Sequence, residues 1–333
     1  MTRFFIVTCF LLFSKISVFA SVIYVAVGQD GDGSSWQNAI GDLRTALAIA
    51  ESGDEVWVAK GTYFPVECAP CTESERAITF NISSGVKLYG GFAGKEISRD
   101  ERFPLKNSTR LSGNIGYADN FDNSYSIVTF QNVNAETVLD GFTVFGGAAN
   151  KTTGADGDAG RSGGGIYNIA TFSESFPQIR NCLFFENTAS EGGAIFNYGA
   201  GNTARVGVEN CSFLKNTAIN AGGAVMDIFR SDIQSASIFS DCKFVKNEAG
   251  YGGAYFSEIL KIETEIFDNC AFTENKSIYG GAAYFSEFQR EGSQVQSMTC
   301  SFTGNTAKEG NEFYFKNREN KSTARSNKTN TSL

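Results

Sequence analysis

The chain contains no histidine, which removes histidine triads, Cys–His dyads, His-ligated zinc and imidazole general bases together. Catalysis would have to rest on carboxylates helped by Arg, Lys or Tyr. Paired acids support inverting glycoside hydrolysis, and Asp-bound calcium with an Arg or Lys base supports lyase chemistry. Asp156 and Asp158, with Arg161 nearby, form the densest acidic cluster and are the candidate Ca²⁺ ligands. Their Gly-rich surroundings favour a solvated loop instead. Asp30 and Asp32 are a second candidate, and their Gly-rich setting favours a turn. Neither has the ligand count of an EF-hand loop. Glu186, Glu191, Glu258 and Glu287 follow no shared inward period and are read as surface charge. No catalytic residue, cofactor site or firm metal site emerges.

Cysteine is the other reactive type. Cys68-Ala-Pro-Cys71 is the only close pair and is expected to be a loop disulfide, because no second ligand pair accompanies it as a zinc site would require. Apart from Cys9 in the leader, five further cysteines, at 182, 211, 242, 270 and 300, recur at spacings of 29, 31, 28 and 30 residues. They are expected to pack as buried thiols.

Those five cysteines open a repeated phrase. Each is followed two residues on by Phe184, Phe213, Phe244, Phe272 or Phe302, and five on by Asn187, Asn216, Asn247, Asn275 or Asn305. A second phrase keeps step: Gly192-Gly193-Ala194-Ile195, Gly222-Gly223-Ala224-Val225, Gly252-Gly253-Ala254-Tyr255 and Gly280-Gly281-Ala282-Ala283. A period near 30 marks a stacked array. Cys and Phe, two apart, share one side of a strand. Asn tolerates a left-handed bend, and paired glycines mark positive φ or close approach. About 30 residues accommodate three short strands and three bends. One such turn cannot bury its own apolar face, but stacked turns build a continuous core. The expected fold is all-β: a right-handed, single-stranded parallel β-helix with an inward Phe stack, a cysteine column and an Asn ladder. Tyr167, Phe196, Tyr198, Tyr255, Phe256, Tyr284 and Phe285 follow the glycines and are read as half-buried packing, with a sugar-stacking platform as the alternative.

The rest of the chain must begin and end that stack. Residues 1–20 read as a secretory signal: Arg3, the apolar run Phe4 to Phe13, then Val18-Phe19-Ala20. Residues 21–53 hold a strand and a capping helix over Asp42 to Ala50, with Asp42 as N-cap. The β-helix is expected over 54–315, regular from 163, followed by a disordered basic tail over 316–333. No transmembrane segment is expected in the mature chain. The whole chain carries −8. The tail contributes +4 and the leader +2, so the body stands at −14 and would repel nucleic acid.

Gly31-Asp-Gly-Ser-Ser-Trp36, Gly53-Asp-Glu-Val-Trp57-Val-Ala-Lys-Gly-Thr-Tyr63, Gly85-Val-Lys-Leu-Tyr-Gly-Gly-Phe92 and Leu139-Asp-Gly-Phe-Thr143 resemble the right-handed, pectin-lyase-like parallel β-helix proteins of secreted bacterial proteomes. The Gly-Gly-Ala-Ile and Phe-x-x-Asn phrases are similar to the repeats of chlamydial polymorphic outer membrane proteins. That resemblance implies an adhesin-like role, although no autotransporter barrel is seen. The same fold holds pectate lyases and polygalacturonases, so it does not settle function. The expectation is a secreted or cell-surface, outer-membrane-associated, non-enzymatic protein binding a carbohydrate or a surface protein. The alternative is a lyase or hydrolase of acidic polysaccharide. The C-terminal coil, with open strand edges, is a candidate for end-to-end or partner contact.

Overall fold

The computed structural model describes residues 20–117, 121–151, 153–155, 157–199, 201–229, 237–259, 264–288 and 294–317. The leader up to residue 19, Asp156 and residues 318–333 lie outside the described residues.

The chain winds as a parallel β-solenoid whose strands form four sheets. Among the described residues, the first sheet holds nine strands from Val22–Val25 to Gln294–Met298. A second holds eight, from Gly61–Tyr63 to Ser301–Thr303. The third holds five, from Ala148–Ala149 to Lys276–Gly280, and the fourth eight, from Phe80–Asn81 to Phe313–Asn317. A coil visits them in the order first, second, third, fourth. Cα partners tie Phe184 to Phe213, Phe213 to Phe244, Phe244 to Phe272 and Phe272 to Phe302.

Two local expectations need correction. A regular coil has four strands, not three. The residues after each Asn, such as Thr188–Glu191, pair into the third sheet, with register shifts where the chain turns toward the glycines. Among the described residues, coils before Ala148 show no strand in this sheet. The left-handed residue at the second corner is not the Asn but its predecessor: Glu186, Lys215, Lys246 and Glu274 have φ between 50° and 55°. The asparagine is needed inside. Asn216 Nδ2 donates to the Phe184 carbonyl at 3.1 Å, while its Oδ1 accepts from the Asn187 N–H at 3.1 Å and Nδ2 at 3.0 Å. Asn247 and Asn275 repeat this one coil on. Each amide thereby satisfies buried backbone that a parallel stack would otherwise orphan.

Phenylalanine rings stack along the core at 4.9, 4.7, 4.7 and 5.1 Å, within 9° of parallel. The cysteines are buried beside them, except Cys300 on the last coil, which is half-buried. Tyr255 and Tyr284 point into the same core, while Tyr167, Phe196, Phe256 and Phe285 are buried in a second cluster. The aromatic residues after the glycines thus pack, and only Tyr198 is half-buried.

The glycine phrase also shifts by one. Gly222 and Gly252 have φ of 68° and 60°, and their counterpart is Gly281 (65°), so Ala282 stacks on Gly253. A Cβ on Gly223 would stand 2.0 Å from the Gly253 carbonyl oxygen, which is why the second position is glycine where coils stack closely.

At the N-terminal end a short helix, α1 (Leu43–Ile49), packs on the first strands of the first and fourth sheets and adds Leu43, Ala46 and Leu47 to the core. Asp42 caps it, accepting from the Arg44 N–H at 2.9 Å. At the other end Phe302 and Phe315 are half-buried. The last strand reaches Asn317, so Lys316 and Asn317 belong to the solenoid rather than to a tail.

Candidate functional site

The segment between Phe92 and Thr109 leaves the solenoid at the corner of the first and second sheets and folds back over it. Its shape is fixed locally. Glu96, buried, accepts from the N–H groups of Ala93, Gly94 and Lys95 at 2.7, 3.0 and 3.0 Å. Burial opposes its charge, but these amides outweigh that and hold its carboxyl below the usual range. Ser98 caps a single turn, Arg99–Glu101. Pro104 rests so close on Gly91 that a Cβ there would meet its ring at 2.6 Å, and Asn107 Nδ2 donates to the Gly91 carbonyl at 3.1 Å.

Two arginines tie this strap to the sheets. Arg99 pairs with Glu55 at 2.8 Å and donates to the Tyr89 hydroxyl at 3.1 Å. Arg102 pairs with Asp140 at 2.7 Å, both largely buried, and reaches the Gly90 and Asp140 carbonyls at 3.2 and 3.3 Å. Both guanidinium groups lie over the Tyr89 ring, 4.9 and 5.2 Å from its centroid. Burial, offset by Arg99, leaves the Tyr89 phenol raised.

Between strap and solenoid runs an open groove of about 810 Å³. The strap contributes Phe103 and Leu105 to one wall, and Phe142, Leu183 and Ser212 lie along the solenoid side. Leu105 is 92% exposed and Phe103 53%. Along the other margin runs an amide row at the left-handed corner: Asn181 Nδ2 donates to Asp140 Oδ1 at 2.8 Å, and Asn210 Nδ2 to Asn181 Oδ1 at 2.7 Å. Exposed apolar side chains together with carboxamides in one lining suit an extended polar ligand with one flat apolar side. Both guanidinium groups are held by carboxylates, and Asp100 also lines the groove.

The residues singled out in the sequence lie elsewhere. Asp158 Oδ1 accepts from the Gly160 N–H at 2.8 Å, closing a turn, and its proposed co-ligand Asp156 is outside the described residues. Asp32 accepts from the Ser34 N–H at 2.9 Å, and the Ser34 hydroxyl, followed by this N–H, lowers its pKa. Among the described residues no three metal-ligating side chains converge. Cys68 and Cys71 are joined, with Sγ atoms 2.03 Å apart. Glu191 corrects the surface reading: it is 8% exposed and faces Arg161 at 3.9 Å, because the projecting loop folds back on its coil. Glu186 stays at the surface, paired with Lys215 at 3.4 Å. Glu258 and Glu287 are register partners on neighbouring coils.

Sequence reasoning missed the groove because its wall is irregular. The available signal was a cluster, Arg99-Asp-Glu-Arg102-Phe-Pro104, interrupting the strand rhythm. It missed as well a buried carboxylic acid. Asp227 stands where Asn168 and Asn197 stand on the coils below, fully buried, accepting from Asn197 Nδ2 and the Tyr255 hydroxyl. Burial raises its pKa to about 6, against the lowering effect of Asn197, Ser237 and Tyr255.

A family model described as the Chlamydia polymorphic membrane protein (Chlamydia_PMP) repeat matches residues 181–198. That stretch is one coil's worth of the second, third and fourth sheets. Among curated proteins none matches the sequence. Of solved structures, the crystal structure of pectate lyase Pel9A is similar over 87% of this chain and 78% of that one, at 15% identity and a TM-score of 0.47. The likeness is one of fold and assigns no residue a role. Among the described residues no helix is long and apolar enough to cross a membrane.

Proposed function

We propose that the protein is a surface-exposed or secreted β-helix binding module, adhesin-like and non-enzymatic, whose groove takes an extended, neutral carbohydrate chain. The reading rests chiefly on the composition of the groove: exposed Phe103 and Leu105 line it together with the carboxamides of Asn181 and Asn210, and Arg99 and Arg102 are already paired with Glu55 and Asp140. Sugars present this combination of an apolar ring face and peripheral hydroxyls. The acidic body argues against a polyanionic ligand. The polymorphic membrane protein repeat at 181–198 supports a surface setting.

The test is a glycan array on the mature protein, with a depolymerisation assay on pectic and other acidic polysaccharides. Binding to neutral glycans should fall at least tenfold in Phe103→Ala and Leu105→Ala, about 1.4 kcal/mol or more. Neither new reducing ends nor unsaturated uronates should appear. Cleavage of an acidic polysaccharide, or glycan binding indifferent to both substitutions, contradicts the proposal.

A further inference from the structure

The two ends of the solenoid differ. At the N-terminal end α1 packs on the first strands of the first and fourth sheets and closes the core there. At the other end, among the described residues, no strand follows Gln294–Met298, Ser301–Thr303 or Phe313–Asn317, so three sheets stop at an edge. The core reaches that edge: Phe302 and Phe315 are half-buried, whereas Phe272, one coil below Phe302, is 2% exposed.

The backbone of the last strand fixes what this edge can receive. Tyr284 is the register partner of Phe313, and its N–H donates to the Glu312 carbonyl at 2.9 Å. Along a parallel ladder, residues turn both their N–H and C=O alternately to one neighbour and to the other. Glu312, Tyr314 and Lys316 therefore bond to the coil beneath, and Phe313, Phe315 and Asn317 present their backbone groups outward. These three positions are symmetric about Phe315. Antiparallel pairing of the strand with a second copy of itself satisfies all of them: Phe315 exchanges both bonds with the partner's Phe315, and Phe313 with the partner's Asn317.

We propose that the last coil is a self-complementary interface through which two copies of this chain join end to end about a two-fold axis, making the fourth sheets continuous. The half-buried Phe302 and Phe315 of each copy then meet those of the other. Residues 318–333 have only Ala324 and Leu333 as apolar side chains and supply no apolar cover of their own. They do carry Arg318, Lys321, Arg325 and Lys328 against Glu319 alone, a basic segment that starts at the interface, where the partner brings a body of opposite charge. The assembly closes at two, because α1 occupies the first strand of the fourth sheet and leaves the N-terminal end without a matching edge.

The experiment is analytical ultracentrifugation of the mature protein from micromolar to near-millimolar concentration, where a monomer–dimer equilibrium is expected, weakening with added salt. Phe315→Pro removes an N–H that the chain's own ladder does not use, and should raise the dissociation constant at least about tenfold while circular dichroism stays unchanged. Register is read separately by oxidising Tyr314→Cys and Lys316→Cys chains, each in a Cys300→Ser background. Residues 314 and 316 of opposite copies form a closely spaced, non-hydrogen-bonded pair, so the mixture should cross-link and neither variant alone should. A monomer throughout, oligomers that grow beyond two, a dimer indifferent to Phe315→Pro, or single variants that cross-link as fast as the mixture overturns the proposal. So does a dimer that appears only after residues 318–333 are removed, which would assign the edge to the chain's own tail.

Discussion

Replacing Asp227 by Asn should make the protein more stable at neutral pH, although it removes a charged group that accepts several hydrogen bonds. The carboxyl is fully buried, and Asn197, Ser237 and Tyr255 are the groups that face it. No cation is among these partners. With a folded pKa of about 6 against an ordinary 3.8, the group's ionisation costs the folded state about 3 kcal/mol, at 1.36 kcal/mol per pH unit. The sign follows from the upward shift of an acid. Its contribution is fully present below pH 3.8 and is lost as pH rises toward 6. In the Asn variant the carboxamide continues the Asn168–Asn197 row, with its Oδ1 accepting from Asn197. Urea unfolding from pH 3.5 to 8 should show the variant close to the native protein at the acid end and about 2–3 kcal/mol more stable above pH 7. Asp54 and Glu96, whose pKa values are lowered, tilt both proteins the opposite way and cancel in the difference. A difference that does not vary with pH would refute the reasoning.

Three further outcomes follow from the packing. Phe213→Ala removes a ring stacked on both sides and should cost about 3–5 kcal/mol in urea unfolding. Gly223→Ala forces a Cβ toward the Gly253 carbonyl and should cost about 1–3 kcal/mol in the same assay. Arg102→Met strands the buried Asp140 carboxylate and should cost about 3–5 kcal/mol, while loosening the strap so that proteolysis begins between residues 93 and 108.

Much of the solenoid was legible because its columns are written in two periods at once. Phe184 follows Cys182 by two, and Phe213 follows Phe184 by one coil, so both the facing and the stacking of that residue could be read. Asp227 was readable by the same rule, since it follows inward Val225 by two as Asn197 follows Ile195. The third sheet was not legible: Thr188–Glu191 is short, shifts register and alternates poorly. The shift at Gly281 was hidden because Gly280-Gly281 imitates the earlier pairs, and only backbone pairing shows which glycine is left-handed. Nothing local told Glu191 that a loop about 30 residues upstream would bring Arg161 to it. The groove depends wholly on long-range contact, of Arg99 with Glu55 and Arg102 with Asp140, across coils that share no repeat.

The in-register winding on which every column depends can be measured directly in solution. Glu186 and Gly304 occupy the same left-handed corner of the second sheet, four coils apart. Spin labels on Glu186→Cys and Gly304→Cys, in a Cys300→Ser background, should give a narrow distance distribution centred near about 19 Å, four steps of about 4.8 Å. A broad distribution, or a centre beyond about 35 Å, would contradict the stacked solenoid and with it the groove and every column.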